Sequence, residues 1–270
     1  MKGRFELKSG LMGETLVRKK GHRRQAAGEQ IRITPELNVI KIGGHAAIDY
    51  GKKVMHPLLD EIGQLSKKHQ ILLVTGGGGR VRHIMDVGID LGMPTGVLAE
   101  LSAKISEQNA IMVSILLSKY NGVRIHTGDL LELPSLLKLK MLPVMHGTPP
   151  YGLYEHPAKR GGSIPPHRTD TGAFLIAEVM GAKNCIIGKN VNGLYTQDPQ
   201  KNPDAEFINK ISASDLLEMN LEDMVIEPMV VELIRDAAHI REVKIINCHI
   251  RGNIEKAILG RNVGTIITAG

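Results

Sequence analysis

Three side chains carry most of the chemistry that can be read from this chain: Lys41, Asp170 and Lys189. Lys41 lies inside the apolar run "NVIKIGG", two residues before Gly43, and Lys189 closes "CIIGKN". An unpaired buried ammonium is costly, so a lysine in such a run is either exposed at a sheet edge or turned toward an anion. Taken singly, each lysine also suits an ordinary surface charge. Two lysines at two strand ends, with Asp170 at a helix start, would give positive charge to a transferring phosphoryl group. They would also supply a carboxylate to orient the lysines or a metal.

Two glycine turns follow two of the apolar runs. "VIKIGG" ends in Gly43 and Gly44, and "LLVTGGGGR" contains Gly76, Gly77, Gly78 and Gly79. In an open α/β sheet the ligand crevice lies at the carboxyl ends of the strands, where glycines let backbone N–H groups approach phosphate oxygens. Neither turn is a Walker A loop. Neither is G-x-G-x-x-G, because Val81 stands where the last glycine would be. A tight strand-to-helix turn is the plainer reading, yet four consecutive glycines cost much backbone entropy to order.

The third signal is "SIPPHRTDTGAF". Pro165 and Pro166 hold the backbone extended and remove two amide donors, so this segment cannot belong to the helix that follows. Thr169 or Asp170 is expected to accept hydrogen bonds from the first free N–H groups of that helix. An N-cap does not account for His167 and Arg168 beside it, so the segment is read as presenting polar groups to a ligand.

The elements that must position these residues alternate. "NVIKIGG", "ILLVTGG", "GVRIHT", "LPVMHG", "NCIIGKN", "EVKIINCHI" and "GTIIT" read as strands. Helical patterns fall at residues 49 to 68, at "VRHIMDVGIDLG", over roughly Leu98 to Tyr120, from the opening motif to Gly181, and at "VVELIRDAAHI", with a turn at "VNGLY". Such alternation predicts an α/β fold with a largely parallel sheet, as one domain over residues 33–270. The stretch from Pro149 to Pro166 is long for a connection in a compact domain, which marks it as a functional loop.

Composition sets the outer limits. A 270-residue chain with 42% hydrophobic residues can bury a substantial core. Cys185 and Cys248 lie in apolar runs and read as buried thiols of a reducing compartment. The apolar runs are too short to span a bilayer, and the first thirty residues contain no apolar signal core, so a cytoplasmic location and no membrane partner are expected. The net charge of +6 comes entirely from residues 1–32, with nine Lys/Arg against three Glu, leaving the rest neutral at 25 against 25. That basic arm reads as a solvated or oligomer-packing extension, with an acidic surface or nucleic acid as the alternative. Three phenylalanines, five tyrosines and no tryptophan leave few stacking platforms for single-stranded nucleic acid.

Taken together, "KIGG", "TGGGGR", "RTDTGAF" and "GKNVNGLYTQDP" resemble the amino acid kinase superfamily, and within it the uridylate kinase branch. The resemblance covers about Val39 to Thr268. It implies an open αβα sandwich binding ATP with magnesium. On that likeness Lys41, Gly43, Gly44, Gly76, Gly77 and Gly78 cradle phosphates, with Arg168 and Thr169 beside them. Asp170 organises the lysines, Lys189 meets the transferred group, and Asn192, Tyr195 and Asp198 flank the adenosine.

The phrases "PPYGLYEHP", "IPPHRTDTGAFLIAE", "AAHIREVKIINCHIRGN" and "NVGTIIT" are more similar still to the molybdenum-storage branch of that superfamily. This likeness implies ATP-dependent deposition of molybdate or tungstate as polyoxometalate clusters in a homo- or hetero-hexameric shell. Where one storage subunit type has a run of histidines after "PPY", this chain has Gly152, Leu153 and Tyr154, with His156 nearby. Histidine and lysine suit oxoanions through hydrogen bonding and charge, so His126, His146, His156 and Lys159 are the candidate ligands, each of which also suits an ordinary surface position. A UMP kinase is the alternative, although Pro165, Pro166, His167 and Arg168 stand where that branch usually carries a phenylalanine-rich phrase.

Overall fold

All six residues of β1 (Leu37–Ile42) are buried, which requires neighbouring strands on both sides and a layer on both faces. The computed structural model describes residues 30–147, 149–156, 164–199, 201–221 and 223–270. Most of the expected basic arm and Lys159 lie outside them. The sheet and its helices belong to the compact unit Arg32–Gly270.

β1 is flanked by β2 (Gln70–Thr75) and β5 (Asn184–Lys189), both parallel to it. Beyond β2 come β4 (Leu142–His146) and β3 (Gly122–Arg124). Beyond β5 come β9 (Glu242–Asn247), β10 (Thr265–Thr268) and β8 (Lys210–Ser212). The first six strands run parallel from β3 to β9, and β10 turns antiparallel to β9. The α/β architecture with a largely parallel sheet is therefore the expected one. Because β1 is central, the edge-exposed option for Lys41 is excluded.

Alternation along each strand sorts its residues between two cores. Leu37, Val39, Cys185, Ile187, Val243 and Ile245 face one layer, where they meet Phe174 and Ala177 of α5 (Thr169–Val179). Ile40, Ile42, Ile186 and Ile246 face the other, against Leu58, Leu59 and Ile62 of α1 (Lys52–Leu65). By this parity Lys41 and Lys189 share the α5 face, whereas Asn38, Asn184 and Lys244 share the α1 face. Both cysteines are buried and free, and burial pushes the Cys185 thiol up to about 12.

The remaining helices are α2 (Gly79–Asp90), α3 (Thr95–Leu116), α4 (Leu133–Lys138), α6 (Ala213–Glu218), α7 (Pro228–Ile234) and α8 (Asn253–Ile258). Several expectations are corrected. The expected turn at "VNGLY" contains β6 (Leu194–Tyr195), which pairs with β7 (Phe207–Ile208). α7 begins at Pro228, whose fixed φ suits a first helical position, and stops at Ile234 instead of reaching Ile240. Beyond it, the carboxylate of Glu178 accepts hydrogen bonds from the amides of Ala238, His239 and Ile240 at 2.7, 3.1 and 2.7 Å, holding those donors outside a helical ladder. The short α4, α6 and α8 are too brief for helical periodicity to announce them.

Candidate functional site

The chemistry predicted at the carboxyl edge of the sheet converges on one carboxylate. Asp170, in the first turn of α5, lies with Oδ1 2.6 Å from Lys41 Nζ and Oδ2 2.7 Å from Lys189 Nζ. The lysines reach it because β1 and β5 are adjacent and both point these side chains toward α5. Asp170 and Lys41 are almost fully buried, and Lys189 is nearly so. Burial alone would raise the Asp170 carboxyl, but the ammonium groups of Lys189 and Lys41 override it and hold it well below the usual carboxylate range. Asp170 therefore stays ionised at neutral pH and is not a proton donor or acceptor there. Burial lowers the Lys189 ammonium, and Lys41 adds to this, against the opposing pull of Asp170.

The N-cap expectation is corrected at this point. Neither Thr169 nor Asp170 caps α5, since both lie inside it and its N-cap residue, Arg168, makes no side-chain cap. Glu227 from the distant start of α7 does the capping. Its carboxylate accepts hydrogen bonds from the amides of Arg168, Asp170 and Thr171 at 3.1, 2.9 and 2.9 Å, and from the Thr171 hydroxyl at 2.6 Å. A carboxylate satisfies the free amides and the positive helix end together, which releases the Asp170 side chain to bind the lysines. Sequence reasoning missed Glu227; its one signal is an acid directly before Pro228 in an apolar stretch.

The two glycine turns meet backbone to backbone above this centre. A Cβ added at Gly44 would collide with the backbone of Gly77 and Gly78, and Gly78 has a φ of 76°, which favours glycine. The loop is held from outside the motif. Buried Asn109 of α3 donates from Nδ2 to the carbonyl of Gly76 at 2.6 Å, and Asp49 accepts the amide of Gly79 at 2.8 Å. Asn109 was also missed, because the glycine carbonyls it binds lie more than thirty residues away.

A cleft of about 550 Å³ gathers most of the remaining candidates. Lys41, Gly43, Gly44, Gly76, Gly77, Gly78, Arg168, Thr169, Asp170 and Lys189 line it, as do Tyr195 and Asp198. Asn192 does not line it; its Oδ1 accepts a hydrogen bond from Asn247 Nδ2 at 2.9 Å.

The three candidate histidines do not converge. His126 lies 3.7 Å from Glu107, which also holds Arg124 at 2.8 Å. His146 ends β4 nearby, and burial lowers its imidazole despite the opposing charge of Glu107. His156 belongs elsewhere, its ring tilted against Tyr151 at 4.8 Å and edge-on to His167 at 5.4 Å between centroids. His167 is buried with Nδ1 2.7 Å from Glu155, so it braces the loop interior instead of facing a ligand with Arg168. Among the described residues no group of three His, Cys, Asp or Glu side chains is arranged to hold a metal ion, and no helix is long and apolar enough to cross a membrane.

Comparison with known proteins supplies the context for this geometry. The model of the Amino acid kinase family matches residues 36–250. The chain is 41% identical to Molybdenum storage protein subunit beta of Azotobacter vinelandii over 98% of its length and 97% of the relative's. It is 31% identical to Uridylate kinase of Pyrococcus abyssi over 67% of its length and 74% of that protein's. Among solved structures, UMP kinase from Bacillus anthracis superposes with a TM-score of 0.69 at 20% identity, covering 87% of this chain and 97% of the other. Uridylate kinase from Archaeoglobus fulgidus gives 0.66 at 24% identity, covering 86% and 100%.

Proposed function

The chain belongs to the amino acid kinase family, and on that premise we propose that it is an ATP-binding storage subunit that takes up molybdate or tungstate. The observation that carries the reading is the pair of lysines held on buried Asp170 beside two closely packed glycine turns. The near full-length likeness to a molybdenum storage subunit supports it.

The residues present fit a nucleotide. Bare backbone at Gly44 lets the two turns close on each other, so the glycines of both line one cleft with the cations Lys41 and Lys189, as a phosphate chain requires. Bound ATP would supply a transferable phosphoryl group. Lys41 and Lys189 would neutralise the charge that develops on it, and Asp170 would keep both ammonium groups at fixed positions throughout. With no three-ligand group among the described residues, magnesium would be held largely by phosphate oxygens and water, as this ion commonly is. Tyr195 and Asp198 would border the nucleoside.

Molybdate and tungstate are tetrahedral oxoanions and make the same demand on cationic donors as phosphate. His126, His146 and Arg124, gathered around Glu107 at the end of β4, are the donors nearest that description. His156 would act separately. Deposition of the oxoanion as polyoxometalate clusters, with ATP hydrolysis, in a cytoplasmic homo- or hetero-hexamer completes the proposal.

The test is elemental analysis of desalted protein after incubation with ATP, magnesium and molybdate or tungstate. Many metal atoms per chain, retained only with ATP, is the expected result; background metal overturns it. The likeness to uridylate kinases favours UMP kinase as the second reading. UMP-dependent ADP release in a coupled assay, without metal retention, would establish that alternative.

A further inference from the structure

The opposite edge of the sheet holds a second cleft, of about 830 Å³, at the amino ends of β1, β2, β4 and β5. Its rim is basic: Lys67, Lys68, His69, Lys138, Lys140 and Lys183 line it, and Glu36 is the one carboxylate among the lining residues. Glu36 is already paired with Lys183 at 3.2 Å. Among the described residues no carboxylate lies within ion-pair distance of Lys68, Lys138 or Lys140, although residues 33–270 as a whole carry equal numbers of acids and bases.

A further charge lies behind the floor. Lys244 is 7% exposed, and its Nζ donates to Asn184 Oδ1 at 2.6 Å and to the Ala257 carbonyl at 3.0 Å. Asn184 in turn donates to Asn38 Oδ1 at 2.7 Å. An ammonium is thus sunk beneath the floor among neutral partners, and Glu242 is the acid whose charge acts on it from the same strand. A concave surface lined by one sign of charge over low-dielectric walls focuses its field on the enclosed space.

We propose that this cleft is a second binding site, for a compact polyanion with several terminal oxygens. Lys68, Lys138 and Lys140 would contact the oxygens directly, and Asn184, held from behind by Lys244, would form part of the floor. Oligophosphate and oxometalate clusters share this chemistry. The site is separated from the Lys41–Asp170–Lys189 centre by the length of the strands, and its occupation does not depend on the storage reading.

The experiment is lysine acylation of the full-length protein, read residue by residue by mass spectrometry, with tripolyphosphate or metatungstate as probe. At a probe concentration about ten times the midpoint, mass action slows reaction at occupied groups about tenfold. Lys68, Lys138 and Lys140 are expected to slow by that much, while exposed Lys104 on α3 changes little. In Lys138→Glu/Lys140→Glu the protection of Lys68 should disappear. Protection by one probe alone also supports the site and identifies its source. If both probes leave these lysines no better protected than Lys104, or if Lys68 stays protected in the double variant, the proposal is overturned.

Discussion

The two edges of one sheet handle lysine in opposite ways. At the carboxyl edge, Lys41 is buried, Lys189 nearly so, and both are matched to a single carboxylate. At the amino edge, Lys244 is buried against an amide and a carbonyl, and the other lysines stand exposed around an open cleft. A buried charge with a matched counter-charge is held rigidly and is costly to disturb. Exposed lysines keep their rotamer freedom and contribute little to the fold. The carboxyl edge is thus organised in advance of any ligand, whereas the amino edge offers charge without fixed geometry.

The strongest way to break this contrast is Asp170→Asn. It removes the one carboxylate that pairs with both ammonium groups, so ATP-dependent activity, metal retention or UMP turnover, is expected to fall by about two to three orders of magnitude. Denaturant titration should show a stability loss of about 3–5 kcal/mol.

Next in size is Glu227→Ala, which strips the acceptor from three amides and a hydroxyl at the start of α5. A loss of about 2–3 kcal/mol is expected in thermal or chemical denaturation, with Glu227→Gln recovering part of it.

Acid sharpens the comparison further. Because the folded-state value of Asp170 lies below the ordinary 3.8, the unfolded chain binds its proton first as pH falls. The stability contributed by the Lys41–Asp170–Lys189 centre is therefore fully present above that ordinary value and is lost as pH drops below it. Denaturation midpoints at pH 5 and pH 3 should show a steeper decline in the unaltered chain than in Asp170→Asn.

The smallest effect belongs to the amino edge. Lys138→Ala/Lys140→Ala is expected to change stability by less than about 0.5 kcal/mol in denaturant titration. A large stability loss there would mean that the exposed lysines are structural and would erase the contrast.

Much of the carboxyl edge was legible in the chain itself. Side chains alternate between the two faces of any strand, so Leu37, Val39 and Lys41 must share a face, as must Cys185, Ile187 and Lys189. Glycines directly after strands mark the ligand edge. These signals are local, and they survive because β-strand alternation and backbone sterics act over a few residues.

What the sequence determined by itself was therefore the kind of fold, the edge where the candidate site lies and the three charged residues that meet at its centre. Tertiary structure alone decided the rest, because pairing between distant segments depends on register and packing that no local pattern encodes. It put Glu227 on the amides of α5, Asn109 on the glycine loop and Lys244 under Asn184. It also separated His156 from His126 and His146, since the loop bearing His156 packs on Tyr151 and His167 while the other two gather at Glu107.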